Sequence, residues 1–381
     1  MIYADYNATA LPTKDHLQEV FVKLQEASGN PSSPHLFGRK AKLALETARQ
    51  KVADLFLCPS ESIVFTSSAT EANNLLINSH LQSRAGNPSN ILTSVVEHPS
   101  ILNPIKEGVR KKLCSVHFCN VDKECIINSE EIEELIQNKK IDLVCLIHVQ
   151  NEIGSINNIQ AISDKIKKIS KDTHIHVDSV QALGKIDLKW LSSSSVDSAS
   201  FSAHKIGGLQ GIGCLYLKAR HTLKPLIFGG GQELGSRAGT ENLSGIISFG
   251  CISSFIQSES YKKSLHFIKY LKQNLLNELK PFSNIMLHGN PKKQADNTIS
   301  LYIHNLNLQN LLISFERHKI AVSSKSACSS GIHSPSYTLK AMGLSDEIAT
   351  NSIRISLGPS NTEDDIAIIA QLLIKESKSL K

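Results

Sequence analysis

Residues 174–205 read HIHVDSVQALGKIDLKWLSSSSVDSASFSAHK. A β-rich run, His174 to Val177, stops at Asp178, and a second, Ser198 to Ser202, stops at Ala203-His204-Lys205. Glycine-rich sequence follows (Gly207, Gly208, Gly211, Gly213), leading into a third run, Gly213 to Leu217. Upstream, similar runs occur at Ser62 to Thr66, Asn90 to Val96 and Leu143 to Val149. Apolar residues recur at three and four positions from His16 to Ala27, Arg39 to Phe56 and Glu71 to Ser83, the period of amphipathic helices. Strands alternating with helices over about 200 residues predict an α/β fold with a mostly parallel sheet flanked by helices. Ligands of such sheets sit at the carboxyl ends of the strands. Nearly every run here passes directly into a polar cluster: SSATEANN, EHPS, QNEIG, DSVQ or SAHK.

Beyond Gly250 the rhythm changes. A long helical segment from about Ser254 to Leu279, a strand-like Thr298 to Ile303, a helix from Asn307 to Arg317 and a final helix from Glu363 predict a smaller α+β domain. We expect a large domain over 15–253, and a small one over 1–14 and 254–381 that carries a Ser/Gly-rich loop with Cys328.

The 381 residues are 41% hydrophobic and 20% charged, an ordinary globular composition. The net charge of +6 comes from scattered basic residues, so no direct nucleic-acid binding is expected. MIYADYNATA lacks a basic n-region and an apolar h-region, and the uncharged stretch Asn242 to Ser258 is too polar for a membrane span. A cytoplasmic protein is expected. The eight cysteines are irregularly spaced, which favours reduced thiols over a disulfide framework. Cys114, His117, Cys119 and Cys125 lack paired CxxC spacing and alternate with apolar residues as a strand would, so no metal site is expected.

Lys205 and Asp178 together suggest a chemistry. A carboxylate beside a pyridine nitrogen keeps it protonated, and a lysine supplies a Schiff base, the pair that pyridoxal phosphate requires. Taken singly, each also fits a loop lysine or a helix-capping aspartate. Thr66-Ser67-Ser68-Ala69-Thr70-Glu71 follows a strand and opens a helix, which makes an anion site or an ordinary capped helix. Gly208-x-x-Gly211-x-Gly213 has the wrong order for a dinucleotide fingerprint.

HVDSVQALGK, SFSAHKIGGLQGIG, FTSSATEANN, EHPSI, HVQNEIG, GNPSSPHLFGRKA and SSKSACSSG, in this order and spacing, resemble the cysteine desulfurases of the NifS/IscS type over essentially the whole chain. The resemblance implies the aspartate-aminotransferase-like fold type I of pyridoxal-phosphate transferases, with a seven-stranded sheet. It also implies a homodimer that converts L-cysteine to L-alanine and passes sulfur to an acceptor protein, such as an iron-sulfur scaffold or thiolation factor. By matching position, Lys205 would carry the cofactor, Asp178 would pair with its ring nitrogen, and His98 would stack on the ring and assist proton transfers. Gln181 and Asn151 would bond its phenolic oxygen. Ala69, Thr70, Ser202 and His204 would hold the phosphate, and Thr240 would reach the neighbouring subunit's phosphate. Asn30, Asn151 and Arg354 would bind the substrate, the arginine as a bidentate fork on its carboxylate. Cys328 would receive sulfur as a persulfide, a thiolate reaction. Departures are Lys325 where the family commonly has Gly, Gln210 for a basic residue, Leu234 within an ERG-type run, and RAGT for RSGT. Other readings are a class V aminotransferase, a selenocysteine lyase, or a catalytically quiet partner-binding subunit of the same fold.

Overall fold

The computed structural model describes residues 1–84, 86–218, 223–324 and 334–378. Cys328 and Lys325 therefore lie outside the described residues. In chain order the strands are β1 (Ile2–Tyr3), β2 (Ile63–Thr66), β3 (Ser89–Ser94), β4 (Cys114–Cys119), β5 (Leu143–Ile147), β6 (His174–Asp178), β7 (Ser198–Ser202), β8 (Gly213–Leu217), β9 (Ile285–Leu287), β10 (Thr298–Ile303), β11 (Ile320–Ala321) and β12 (Ser352–Ser356). The helices are α1 (Lys14–Glu26), α2 (Leu36–Asp54), α3 (Ala69–Ser83), α4 (Pro99–Arg110), α5 (Ser129–Asn138), α6 (Ile159–Ile169), α7 (Leu243–Ile256), α8 (Glu259–Leu279), α9 (Leu308–Arg317), α10 (Tyr337–Ala341), α11 (Asp346–Asn351) and α12 (Glu363–Lys378).

Seven strands form one sheet in the order β2-β8-β7-β6-β5-β3-β4, parallel except for β8. The expected mostly parallel sheet is present. β5 is buried along its whole length as LVCLI, the continuous apolar run that a parallel strand covered on both faces requires. Phe56 stacks on Phe201 at 4.4 Å beneath the sheet, and burying each ring contributes about 1.5–3 kcal/mol. α2 and α7 pack where Gly250 lacks a Cβ that would lie 2.7 Å from Ala48 Cα.

A three-stranded antiparallel sheet, β12-β10-β9, forms the second layer. Its core joins Leu271 and Leu275 of α8 to Ile353 and Ile355 of β12 and Ile369 of α12. β1 pairs with β11, so the N-terminal segment runs along this layer before Ala10 N bonds His204 O at 2.8 Å beside the large sheet. The helix expected from Ser254 to Leu279 is broken. Ser258 accepts from Tyr261 N at 3.2 Å, so α7 ends and α8 starts on a fresh cap.

Among the described residues no helix is long and apolar enough to cross a membrane. All seven described cysteines are buried and free.

Candidate active site

Register brings the strand ends level. Ile147 of β5 lies beside Asp178 of β6, and Asp178 beside Ser200 of β7. The loops that leave these strands enclose a cavity of about 170 Å³. Ala69, Thr70, His98, Asn151, Asp178, Gln181, Ser202, His204, Lys205 and Arg354 line it, together with Asn7 and Ala8 from the N-terminal segment. Asn30 and Thr240 are exposed and do not line it.

Lys205 closes the short turn after β7, and its Nζ donates to the carbonyls of Asn7 and Ala8, both at 2.8 Å. Asp178 ends β6 and is 5% exposed; its Oδ2 accepts from Asn73 Nδ2 at 3.1 Å and its Oδ1 from Val180 N at 3.2 Å. His98 is the N-cap of α4 ahead of Pro99, whose fixed φ suits the first helical position. Burial pushes the His98 imidazole below its ordinary pKa; Asp178 opposes that shift and Lys205 adds to it.

At the other end of the cavity Ser68 caps α3, accepting from Glu71 N at 3.3 Å, while Glu71 accepts from Ser67 N at 2.8 Å and pairs with Arg237. The helix start is capped by Ser68, with Glu71 reaching back one residue further to Ser67, so the alternative reading of an ordinary capped helix is realised. The amides of the first turn still have no partner within the helix, so an anion site remains beside the cap. Gly213 lets β8 pass against this turn, since a Cβ there would lie 2.6 Å from the Ser68 carbonyl carbon. His204 Nδ1 lies 3.0 Å from Thr9 Oγ1, and burial, then Lys205, brings its pKa down to about 4. Ser202 Oγ is buried with no partner among the described residues. A phosphate oxygen would satisfy it, so these residues fit pyridoxal phosphate, with Lys205 and Asp178 placed for the ring.

The Arg354 side of the cavity is assembled over long sequence distances. Arg354, 2% exposed, donates from Nη1 to Asn151 O at 2.9 Å and from Nη2 to Asp5 Oδ1 at 2.8 Å. The expected bidentate fork is therefore largely occupied by the protein itself. Nε is the buried guanidinium donor without a partner among the described residues. Ser323, two residues before 325–333, pairs its backbone with Arg354, and Tyr337, four residues after, donates to Glu97 O at 2.8 Å. The described flanks of the Cys328 segment are thus bonded to Arg354 and to the residue before His98.

Sequence reasoning missed Asn7, Asn73 and Lys185. Gln181 Nε2 donates to Asn7 O at 2.9 Å, and Lys185 Nζ donates to Asn7 Oδ1 at 2.7 Å and to Gln181 Oε1. Pinning Oε1 leaves the Gln181 amide as a donor on its other side, as an anionic phenolic oxygen requires. Burial, then repulsion from Lys205 and Arg354, holds Lys185 well below the ordinary lysine pKa. Asn7 and Lys185 lie in the quoted stretches MIYADYNATA and HVDSVQALGK, but no local periodicity marks a residue whose partners are 178 positions away.

The class-V aminotransferase model matches residues 2–369. The chain is 33% identical over its whole length to cysteine desulfurase IscS of Dictyoglomus turgidum, covering 95% of that protein. It is 36% identical to the IscS of Buchnera aphidicola subsp. Baizongia pistaciae, covering 100% of this chain and 93% of the relative. A solved NifS-like protein superposes with a TM-score of 0.90 at 32% identity, over 100% of this chain and 99% of the other.

Proposed function

The chain belongs to the class-V aminotransferase family, and we propose that it is a cysteine desulfurase that uses pyridoxal phosphate. The observation that carries this reading is the convergence of Lys205, Asp178 and His98 on one cavity that also holds Ser202 Oγ and Arg354 Nε, both without a partner among the described residues. The full-length likeness to proteins named cysteine desulfurase supports it.

When bound, the cofactor supplies an electron sink for bonds at the substrate's α-carbon. Lys205 carries the cofactor and moves protons at Nζ. Asp178 holds a proton at the ring nitrogen. Ser202, His204, Thr70 and the Ala69 amide hold the phosphate, and Gln181 and Asn151 hold the phenolic oxygen. Arg354 Nε takes one oxygen of the substrate carboxylate; the part of Asn30 rests on the family resemblance alone. The Cys328 thiolate attacks the substrate sulfur, a sulfur-sulfur bond forms as the carbon-sulfur bond breaks, and the carbon fragment takes up a proton and leaves as alanine.

The exposed Thr240 is assigned to the phosphate of a second copy, which makes the active form a homodimer. A fully active monomer by light scattering would remove Thr240 from the site. The persulfide passes to an acceptor protein, for which the family resemblance offers an iron-sulfur scaffold or a thiolation factor. Free, buried cysteines suit a reducing cytoplasm. The boundary between large and small domains is placed between 253 and 254, three residues before α7 ends. The deciding test is alanine formed from L-cysteine by the loaded protein. None formed, with the cofactor bound, would overturn the reading.

A further inference from the structure

Asn73 of α3 is fully enclosed, and each of its polar hydrogens is assigned by its neighbours. Asp178 Oδ2, 3.1 Å away, is a carboxylate oxygen and accepts, so the Asn73 atom facing it is the donating Nδ2. The same Nδ2 donates to Ser100 Oγ at 2.9 Å. Asn73 Oδ1 accepts from His176 Nε2 at 2.9 Å, and His176 Nδ1 lies 2.9 Å from Ser198 Oγ. Burial brings His176 down to about 3, so it is the neutral ring that this pattern needs.

The consequence falls on His98. Ser100 Oγ accepts from Asn73, so its own hydrogen is available to His98 Nδ1, 2.8 Å away. The Ser100 backbone N–H, which can only donate, also points at His98 Nδ1 at 3.1 Å. Two donors meet at one ring nitrogen, which must therefore carry a lone pair. The proton of neutral His98 then sits on Nε2.

We propose that His98 serves the cavity as a neutral hydrogen-bond donor through Nε2 rather than as a base there, and that Asn73 is the positioning residue that imposes this state while aiming Asp178. The proposal rests on the cofactor reading above for its chemistry, but not for its hydrogen-bond logic. A ring held this way already carries its proton on Nε2 and can accept one there only after that proton has moved to Nδ1, where it would face the Ser100 backbone N–H, a group that can only donate. Acceptance of a substrate proton then belongs to Lys205. The charged groups around His98 are Asp178 from β6, which favours its protonation, and Lys205 beyond β7, which opposes it. Arg354 of β12 and His204 line the same cavity, and Glu97 is the adjacent buried carboxyl.

The test is nitrogen NMR of the holoenzyme labelled with 15N-histidine, with His98 assigned by the signal lost in His98→Gln. The expected spectrum at pH 7 shows an unprotonated Nδ1 and a protonated Nε2. A protonated Nδ1, whether as the other tautomer or as imidazolium, would overturn the proposal even in an active desulfurase. Conversely, the predicted tautomer in a protein that releases no alanine would refute the functional reading alone. Asn73→Asp turns the donor into an acceptor that takes the Ser100 hydroxyl hydrogen, so the His98 titration midpoint should rise by about one pH unit or more. Ser100→Ala should raise it by less with Asn73 still on Asp178. If both folded variants leave the midpoint unmoved, Asn73 has no positioning role. The wild-type spectrum decides the tautomer even if Asn73→Asp does not fold.

Discussion

The two ends of the cavity are built differently. The end proposed for the cofactor is made of short segments at strand ends, each contributing side chains within a few residues of a strand: Ala69 and Thr70 after β2, Asp178 on β6, Ser202 at the end of β7 and His204 and Lys205 just after it. The end proposed for the substrate joins Asp5, Asn151 and Arg354, with Arg354 paired to a carboxylate 349 positions away. Local loops make a site that tolerates loss of one donor, because neighbouring amides and hydroxyls share the load. A buried cation held by single long-range partners has no such reserve, since removing one partner leaves the other unpaired.

The largest expected effect is at the junction of the two ends. Lys205→Ala should abolish the covalent linkage trapped by borohydride, remove the visible band and cut alanine formation by about 10³-fold or more, the scale of lost proton-transfer catalysis. Wild-type-like turnover would break the comparison at its centre. Arg354→Met should keep the visible band while raising KM for cysteine, because it acts on the substrate end alone. It should also destabilise the fold by about 2–3 kcal/mol in thermal melts, as Asp5 and the Asn151 carbonyl lose a charged donor. A lost band with unchanged KM would show that the two ends are one unit.

Acid should also distinguish the ends. His204, beside the proposed phosphate site, and His288, 2.8 Å from Ser352 of β12, are both held neutral by burial, each near 4. Their folded pKa values lie below the unfolded value of about 6.5, so the unfolded state binds the extra proton. Stability is full above pH 6.5 and falls as pH drops towards 4, by at most about 1.4 kcal/mol per pH unit for each ring, less for the partly solvated His204. Loading the phosphate should flatten this slope in wild type and leave the His204→Gln slope unchanged by loading. An equal response in both would remove His204 from the phosphate site. The smallest effect is Ser68→Ala, which removes the α3 cap for about 1 kcal/mol with little change in KM, measured by denaturant unfolding.

The same contrast governs what could be read from the chain. β7 and β8 match the β-rich runs at 198–202 and 213–217 residue for residue, and Asn307 caps α9 as the expected helix start suggested. Asp178, Lys205 and the Ser68 to Glu71 turn were visible as candidates because each lies at or just after a strand end. Asn7 was not, although it contacts Lys185, Gln181, Lys205 and Asn297, because its role exists only after the N-terminal segment crosses onto the large sheet. Asn73 lay within a quoted motif, but its direction depends on Asp178 and Ser100, which only packing brings together. Arg354 was identified by resemblance, while its occupation by Asp5 required the fold. The break at Ser258 hid in a continuous helical period, since a serine cap differs little in polarity from the residues around it.

The most direct test is mass spectrometry of the holoenzyme after brief treatment with L-cysteine, with alanine measured in the same sample. The account predicts alanine together with one added sulfur on the Cys328 peptide, and Cys328→Ser that keeps the visible band but releases no alanine. Alanine formed at a wild-type rate by Cys328→Ser, or sulfur mapped to Cys58 or Cys114, would contradict it.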